Sequence, residues 1–329
     1  MLESLARAIF REKINGKTVS FGGLLRHEPD ERDYIYSDLG GFFGPYVPKH
    51  EVWRVKTYQV KDQTPNNTCV FHSYATCREG QEGIELSPKS IVGYARRRGL
   101  LRGNGFSSLR NAHKAGKEYG IASEAIVPNT NDPWWSYSAM VEDSDAEDHL
   151  EASYFTVSTA DEMLKALDDG NAVHTGFTWY SSYNVSGGLR SPWILPWRRG
   201  WKVGGHAVAL VGYNIPKGLW TFRNSFGPQW GDSGDFYVRM RDFPRFGDNG
   251  FVSVDIGDPT NLHAFISSYD GDTVKSKDSP SVFRVEGGKL RPYLTPSAFF
   301  ADGGCFIPPS YTVVSNDFIE RAPKGEPIL

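Results

Sequence analysis

The fold is decided by the stretch Lys61-Asp62-Gln63-Thr64-Pro65-Asn66-Asn67-Thr68-Cys69-Val70-Phe71-His72-Ser73. A polar, turn-prone run ends at a cysteine, and an apolar segment of helical character follows it. Thr68 is a suitable N-cap residue, which predicts that Cys69 is the first residue of a helix. A thiol at that position lies at the positive end of the peptide dipoles, which favours the reactive thiolate form.

Gln63 lies six residues before Cys69 and carries an amide donor that the loop can fold back beside the sulfur. Buried cysteines without a chemical role are common, and a loop glutamine usually contacts water. This stretch alone therefore leaves a nucleophile and an ordinary core cysteine both open.

A second stretch, Trp201 to Tyr213, contains the glycine turn Gly204-Gly205, then His206 and an apolar run that predicts a buried strand. It is followed by the turn Asn224-Ser225-Phe226-Gly227. These segments resemble the papain-like cysteine peptidases, of bacterial or phage type. That family combines a Gln-(five residues)-Cys segment, a Gly-His-Ala-Val strand and an Asn-Ser-Trp-Gly turn, in the order found here.

The resemblance implies a role for each of four polar residues. Cys69 is the nucleophile, and His206 is its general base and ion-pair partner. Asn224 orients the imidazole, and Gln63 forms the oxyanion hole with the Cys69 backbone N–H. Peptide hydrolysis needs these groups, because a thiolate attacks the carbonyl, an imidazole protonates the leaving amine and fixed donors hold the charge on the tetrahedral oxygen.

Two residues depart from the family's pattern. Val70 replaces the aromatic residue after the nucleophile, and Phe226 replaces the tryptophan that shields the His–Asn hydrogen bond. We expect the substrate to contact Gly105, Phe106, Gly205 and Phe226. Glycine suits such a cleft because an extended peptide can pair with backbone that carries no side chain. An ordinary turn is the alternative for the stretch around Gly105.

The resemblance implies an α+β fold with a helical lobe, a β-barrel-like lobe and a small C-terminal β-rich module. We expect an N-terminal extension over residues 1–28, a catalytic domain over 29–270 and the module over 271–329. Apolar residues from Leu2 to Phe10 recur at helical spacing, which predicts an amphipathic helix over residues 1–19.

The tail combines a charged linker with a predicted hairpin around Gly287-Gly288. It resembles a small module of bacterial surface and phage virion proteins. We expect it to attach the chain to a larger assembly, such as a virion or a cell envelope, or else to pack against the catalytic domain.

Two other segments carry weaker predictions. The run Glu142 to Glu151 is acidic and is expected to lie on the surface. His174 is a second candidate base, but it lacks both the glycine turn and the paired asparagine turn.

The chain contains three cysteines, Cys69, Cys77 and Cys305. On the predicted helix the first two lie about 12 Å apart along its axis, beyond the reach of a disulfide. Secreted relatives usually carry several disulfides, one of them rooted just before the nucleophile, where this chain has Asn66. We therefore expect three free thiols and a cytoplasmic site of synthesis, followed in the virion alternative by incorporation into a particle.

The sequence also excludes several classes of protein. The formal net charge is -3 at pH 7, so nothing indicates nucleic-acid binding. No stretch has the length and apolar character of a signal peptide or a membrane span. The Gly-x-Ser-x-Gly elbow of serine hydrolases and the His-Glu-x-x-His motif of zinc peptidases do not occur, and we expect neither a metal nor a cofactor.

The leading hypothesis is thiol-dependent hydrolysis of peptide or related amide bonds, with a peptide or protein as substrate. Two other classes stay open. One is a structural or virion-associated binding protein that keeps the fold, and the other is an acyl transferase or transglutaminase with the same Cys-His-Asn triad.

Overall fold

The computed structural model describes residues 10–14, 17–21, 23–26, 36, 46–130, 132–137, 143–184, 191–196, 200–243, 250–254, 270–276, 280–305, 311–314, 319 and 323–329. The chain divides into two compact units. The first comprises Met1–Glu31 and Tyr46–Val254, and the second comprises Arg32–Pro45 and Asp255–Leu329. The domain limits expected at residues 28 and 270 stay predictions.

The helical part of the first unit contains three main helices, α1 (Cys69–Glu82), α2 (Pro88–Arg97) and α3 (Leu109–Glu118). Side-chain caps start two of them: the Ser87 hydroxyl accepts the Ser90 N–H before α2, and Ser108 accepts the Asn111 N–H before α3. Short helices follow at Asp143–Glu147 (α4) and Ala160–Asp168 (α5).

Helix α1 begins at Cys69 as predicted, with Thr68 as its N-cap residue. The Thr68 side chain, however, makes no capping hydrogen bond to the backbone. Its hydroxyl lies 3.2 Å from His72 Nδ1, one turn into the helix. The other end of α1 closes at Gly83, whose φ of 75° is the left-handed conformation that glycine adopts readily.

The sheet-rich part of the first unit is antiparallel. Its strands are β3 (Val52–Arg54), β4 (Ser153–Val157), β5 (Val173–Tyr180), β6 (Lys202–Asn214), β7 (Leu219–Arg223), β8 (Asp235–Arg239) and β9 (Gly250–Val254). They lie in the order β4-β9-β5-β6-β7-β8, and β3 also pairs with β6. The thirteen-residue β6 is central, since β3, β5 and β7 all pair with it.

Helix α1 packs against this sheet through an apolar core. Val70, Phe71 and Tyr74 on the helix and Ala207 on β6 are each at most 1% exposed and belong to one core cluster. Complete burial of such side chains stabilises the fold by about 1.5–3 kcal/mol each for the larger ones. The core therefore fixes the start of α1 beside the middle of β6.

The second unit contains a separate four-stranded sheet in the order β12-β11-β10-β13. Its strands are β10 (Thr273–Ser276), β11 (Val282–Glu286), β12 (Lys289–Pro292) and β13 (Thr312–Val314), and it also contains helix α6 (Pro296–Ala301). The predicted hairpin around Gly287 and Gly288 is the antiparallel β11–β12 pair. The predicted fold class, a helical part, a sheet-rich part and a small extra β-rich module, is confirmed.

The predicted N-terminal helix is wrong from Phe10 onward. Strands β1 (Phe10–Ile14) and β2 (Lys17–Phe21) form an antiparallel hairpin, with Ile14 opposite Lys17. The sequence between them is Asn15-Gly16, a strong hairpin signal that outweighs the helical spacing of the apolar residues. The start of the predicted helix, residues 1–9, lies outside the described residues.

Candidate active site

The thiol of Cys69 lies between the start of α1 and strand β6. The backbone N–H groups of Ala207, Val70, Cys69 itself and Gly23 lower the pKa of this thiol. Cys69 is 1% exposed, and this burial raises the pKa of its thiol to about 12, against the lowering effect of those donors. Cys69 and Ala207 belong to one core cluster, and Ala207 directly follows His206 on β6.

The imidazole of His206 is held by Asn224. His206 Nε2 lies 2.8 Å from Asn224 Oδ1, and this oxygen also accepts the Ser225 N–H at 2.8 Å. Because an acceptor of backbone N–H must be the amide oxygen, His206 donates through Nε2. Nδ1 is then the nitrogen that can exchange a proton with a thiol.

Two aromatic rings enclose the His206 imidazole. Phe226 stacks on it at a centroid distance of 4.8 Å, and Trp179 meets it edge-on at 4.8 Å. Burial lowers the pKa of His206 to about 4, against the opposing effect of the bond to Asn224. Trp179 was not among the predicted residues, although its period-two spacing from Phe177 on β5 indicates the same face of that strand.

The Gln63 amide lies beside the asparagine turn. Gln63 N–H donates to the Ser225 carbonyl at 2.9 Å, and the Ser225 hydroxyl donates to Gln63 Oε1 at 2.6 Å. The Gln63 amide nitrogen donates to the Asn66 carbonyl at 2.8 Å. Ser225 therefore orients Gln63. The sequence did not predict this role of Ser225, because the serine was considered only as part of the asparagine turn.

A segment from the N-terminal region runs directly through this site. Leu24 N–H donates to the Gly205 carbonyl at 3.2 Å, and Leu25 N–H donates to the Ser107 carbonyl at 2.7 Å. Ser107 N–H in turn donates to the Gly23 carbonyl at 3.0 Å. The closing segment, Gly23–Leu25, is thus held by backbone hydrogen bonds on both sides of the sulfur.

Close contacts explain the glycines along this path. A Cβ added at Gly23 would lie 2.9 Å from Cys69 Sγ and 2.1 Å from the Asn67 carbonyl oxygen. A Cβ at Gly176 would lie 2.3 Å from Leu24 Cδ2. The Leu24 side chain therefore occupies a space that exists only because its neighbours are small, and the closing segment covers the thiol.

Of the four predicted substrate-contacting residues, two lie beside His206 or Leu24 and two lie in the loop before Ser107. The Gly205 carbonyl and the Phe226 ring lie at the site, beside Leu24 and His206 respectively. Gly105 adopts a φ of 83° and faces the Trp134 ring. Gly105 and Phe106 precede Ser107, the residue that pairs with the closing segment, so their contact with a substrate stays a prediction.

Asn66 makes polar contacts at the place where secreted relatives have a disulfide. Its amide nitrogen donates to the Asp132 carbonyl at 2.9 Å, and its amide oxygen accepts the Trp134 N–H at 3.1 Å. These bonds join the loop before α1 to residues 132–137. Cys69, Cys77 and Cys305 are all free thiols in the structure.

The burial of Glu151 and His174 bears on the two weaker predictions, the acidic surface run and the second candidate base. Glu151 is 1% exposed and bonds to His113 and Tyr74, so the expected surface position of the acidic run is wrong at this residue. His174 is also fully buried, and its ring nitrogens contact His113 and Ser73.

Within the described residues, no helix is long and apolar enough to cross a membrane. The same part of the chain contains no group of three or more His, Cys, Asp or Glu side chains arranged to hold a metal ion.

Comparison with known proteins gives consistent matches. The sequence profile described as "Papain family cysteine protease" matches residues 47–249. A cathepsin L-like proteinase of Fasciola hepatica is 28% identical over 218 residues, which cover 59% of this chain and 60% of that protein. Cathepsin B-like CP3 of Giardia intestinalis is 37% identical over 81 residues, 23% of this chain and 25% of that protein. The chain thus spans between a quarter and three fifths of these curated relatives.

Solved structures agree in fold. Xylellain, a cysteine protease from Xylella fastidiosa, superposes with a TM-score of 0.58 at 22% identity, covering 70% of this chain and 95% of that one. Digestive procathepsin L 3 of the Tenebrio molitor larval midgut gives a TM-score of 0.51 at 18% identity, covering 68% and 76%. At these identities the likeness concerns the fold alone.

Proposed function

Since the chain belongs to the papain family of cysteine proteases, we propose that it hydrolyses peptide bonds with Cys69 as the nucleophile. The observation that carries this proposal is the hydrogen bond of 2.8 Å between His206 Nε2 and Asn224 Oδ1. It is supported by the position of Cys69, which belongs to the same core cluster as Ala207, the residue after His206 on β6.

Catalysis proceeds through proton exchange at His206 Nδ1. The imidazole takes the thiol proton, the sulfur attacks the substrate carbonyl, and the same nitrogen returns the proton to the leaving amine. A water then hydrolyses the thioester with His206 as base. Phe226 and Trp179 keep water from the bond between His206 and Asn224.

Gln63 and the first N–H of α1 stabilise the tetrahedral oxygen. The Ser225 hydroxyl fixes Gln63 Oε1, so the amide nitrogen is the end that can donate to an oxyanion. The Cys69 N–H lies at the helix start, where no earlier turn of the helix accepts it. Two fixed donors of this kind lower the barrier without reorganising during the reaction.

Hydrolysis requires Gly23–Leu25 to leave the cleft. In the closed form the thiol is buried and protonated at neutral pH, because its pKa is about 12. Departure of the closing segment exposes the sulfur to water, removes the desolvation that raises this pKa and frees the Gly205 and Ser107 backbone for a substrate.

The test is covalent labelling with an epoxysuccinyl thiol-protease inhibitor, followed by peptide mapping. Labelling at Cys69 together with loss of peptide hydrolysis in Cys69→Ala supports the proposal. Hydrolysis that survives in Cys69→Ala overturns it. The remote control is Cys305→Ala, which alters an exposed thiol and is expected to leave activity unchanged.

The second unit is proposed to attach the enzyme to a larger assembly, such as a virion or a cell envelope. None of the proposed catalytic residues lies in residues 255–329, and β10 to β13 form a sheet separate from that of the first unit. These observations support a role in binding and not in the chemical step.

A further inference from the structure

Four polar side chains form a continuous chain inside the first unit, apart from the His206–Asn224 pair. Glu151 Oε1 lies 2.7 Å from His113 Nδ1, and His113 Nε2 lies 3.0 Å from His174 Nδ1. His174 Nε2 then lies 3.0 Å from Ser73 Oγ. All four side chains are at most 3% exposed. We refer to Glu151, His113, His174 and Ser73 together as the polar chain.

The polar chain ends at the first turn of α1. Ser73 Oγ donates to the Cys69 carbonyl at 2.8 Å, four residues earlier on the helix. The members come from four places in the fold: the residue two positions before β4, α3, β5 and α1. The helical part and the sheet are thus joined by hydrogen bonds directly beneath Cys69.

The direction of the Ser73 hydroxyl decides the proton positions. Ser73 has one hydroxyl proton and donates it to the carbonyl of Cys69 at 2.8 Å, with the Val70 carbonyl at 3.2 Å. Toward His174 the hydroxyl then can only accept, so His174 Nε2 carries a proton. The contact between His174 and His113 has room for a single proton, which His113 Nε2 supplies. One further proton lies between His113 and Glu151. The polar chain therefore holds three protons and is electrically neutral.

A fourth proton does not fit. It would place an N–H on His174 Nδ1 directly against the N–H on His113 Nε2, at a nitrogen separation of 3.0 Å. This contact would be repulsive and would break the chain at its centre. The loss of a proton has a different result: every donor reverses, Ser73 turns toward His174, and its bond to the Cys69 carbonyl is lost.

In the part of the chain that the structure describes, the groups named below that surround the polar chain are neutral or paired. Tyr74 on α1 donates to Glu151 Oε2 at 3.1 Å, and the neutral Tyr154 ring from β4 lies 5.0 Å from the His113 ring. Cys77 on α1 is buried, and burial raises the pKa of its thiol, which keeps it neutral. Arg78 is a cation and is paired with Glu82.

We propose that the polar chain is an acid-sensitive stabilising element of the fold, in which His174 holds Ser73 in place as long as the two imidazoles share one bridging proton. In this state the first turn of α1 is fixed to β5. The folded protein excludes a separate proton on each imidazole, so the additional proton is bound only on unfolding. The inference concerns proton binding and stability, and it does not depend on the proposed peptidase activity.

The proposal has a measurable thermodynamic consequence. In the unfolded chain both histidines become charged as the pH falls below about 6.5, which gives four protons on the two imidazoles. The folded chain holds three, so unfolding takes up one proton at this site. From this site alone, the unfolding equilibrium constant then rises about tenfold for each unit by which the pH falls.

The test compares His174→Gln with the wild type. A glutamine can accept from His113 and donate to Ser73, but it cannot bind the extra proton. Urea unfolding at several pH values between 6 and 5 gives the number of protons taken up. We expect the variant to take up one proton fewer on unfolding than the wild type. For each unit by which the pH falls, its unfolding equilibrium constant should therefore rise about tenfold less. His50→Gln, at an exposed histidine, is the matched control.

Nitrogen NMR of the wild type with labelled histidine gives a second measurement, which holds even if His174→Gln does not fold. We expect His174 to show the neutral Nε2–H form down to the lowest pH at which the protein stays folded. A charged His174 in the folded protein at pH 5.5 overturns the proposal. Equal proton uptake by the wild type and His174→Gln overturns it as well.

Discussion

The hydroxyl of Ser225 donates a 2.6 Å hydrogen bond to Gln63 Oε1, so the residue that follows Asn224 also orients the proposed oxyanion donor. Asn224 and Ser225 together connect the base and the oxyanion hole through one turn. Removal of the hydroxyl releases the Gln63 amide without removing it, and removal of Gln63 eliminates the donor itself.

We therefore expect Ser225→Ala to lower kcat about tenfold with little change in KM, and Gln63→Ala to lower it by about a hundredfold or more. Steady-state kinetics on a peptide substrate measure both effects. Ser136→Ala is the control, because the Ser136 hydroxyl donates to the Pro133 carbonyl in a local turn. A Ser225→Ala enzyme slower than Gln63→Ala would contradict the assignment.

His206→Ala is expected to lower turnover by about 10²–10⁴-fold, because it removes the proton donor and the acceptor in one change. Asn224→Ala only loosens the orientation of the ring, so its loss of turnover is expected to be smaller. Both are compared with Cys69→Ala, which should be folded and inactive. Small and equal losses for the three variants would show that these residues do not form a catalytic group.

Leu24→Asp is expected to open the cleft. Leu24 is 6% exposed, and a carboxylate in this apolar space costs several kcal/mol, so the closing segment leaves its position. The alkylation rate of Cys69 by iodoacetamide should rise at least tenfold, with the exposed Cys305 as an internal reference. Leu25→Asp, at the half-buried neighbour, is the control. Equal rates for Leu24→Asp and the wild type would contradict the role given to the segment.

His72→Phe is expected to stabilise the protein in acid. Burial lowers the pKa of His72 to about 4, and its Nε2 has no hydrogen-bond partner among the described residues. Because the folded pKa lies below that of the unfolded chain, stability is lost as the pH falls from about 6.5 to 4. The difference of about 2.5 units corresponds to about 3 kcal/mol.

Urea unfolding at pH 7 and pH 4.5 measures this effect. The gain of the variant over the wild type should be larger at pH 4.5, and His50→Phe, at an exposed position, should show no such difference. A gain that is independent of pH would mean that the phenyl ring improves packing and that His72 is not the titrating group.

Removal of residues 273–329 tests the attachment proposal for the second unit. We expect hydrolysis of small peptides and the melting temperature of the first unit to change little, while co-sedimentation with the larger assembly is lost. Aggregation of the shortened protein, or loss of small-peptide hydrolysis, would mean that the second unit belongs to the core of the enzyme.

Those features of the candidate site that depend on local spacing could be predicted from the sequence. Gln63, Cys69 and the His206 strand each lie in a short block whose residue types and order point to one chemistry. Helix α1 begins where the capping pattern indicates, although Thr68 does not cap it with its side chain. Such features depend on a few neighbouring residues, so they can be recognised from a single sequence.

Long-range partners were not predictable in the same way. Leu24 precedes Cys69 by 45 residues, and nothing in its own neighbourhood indicates that Gly176 leaves it room. Glu151 closes an acidic run and looks solvent-exposed until His113 and Tyr74 meet it from other elements. The N-terminal hairpin was missed for another reason, since helical spacing was given more weight than Asn15-Gly16.

The backbone bonds of Gly23–Leu25 have a kinetic consequence. The segment uses the Gly205 and Ser107 carbonyls, so it competes with any peptide for the same groups. A tethered competitor acts at an effective concentration on the order of millimolar, whatever the dilution of the protein. Under the proposed function, substrates must displace this segment, so weakly bound peptides are rejected and tightly bound ones pass. The apparent KM then reflects the free energy of opening as well as that of binding.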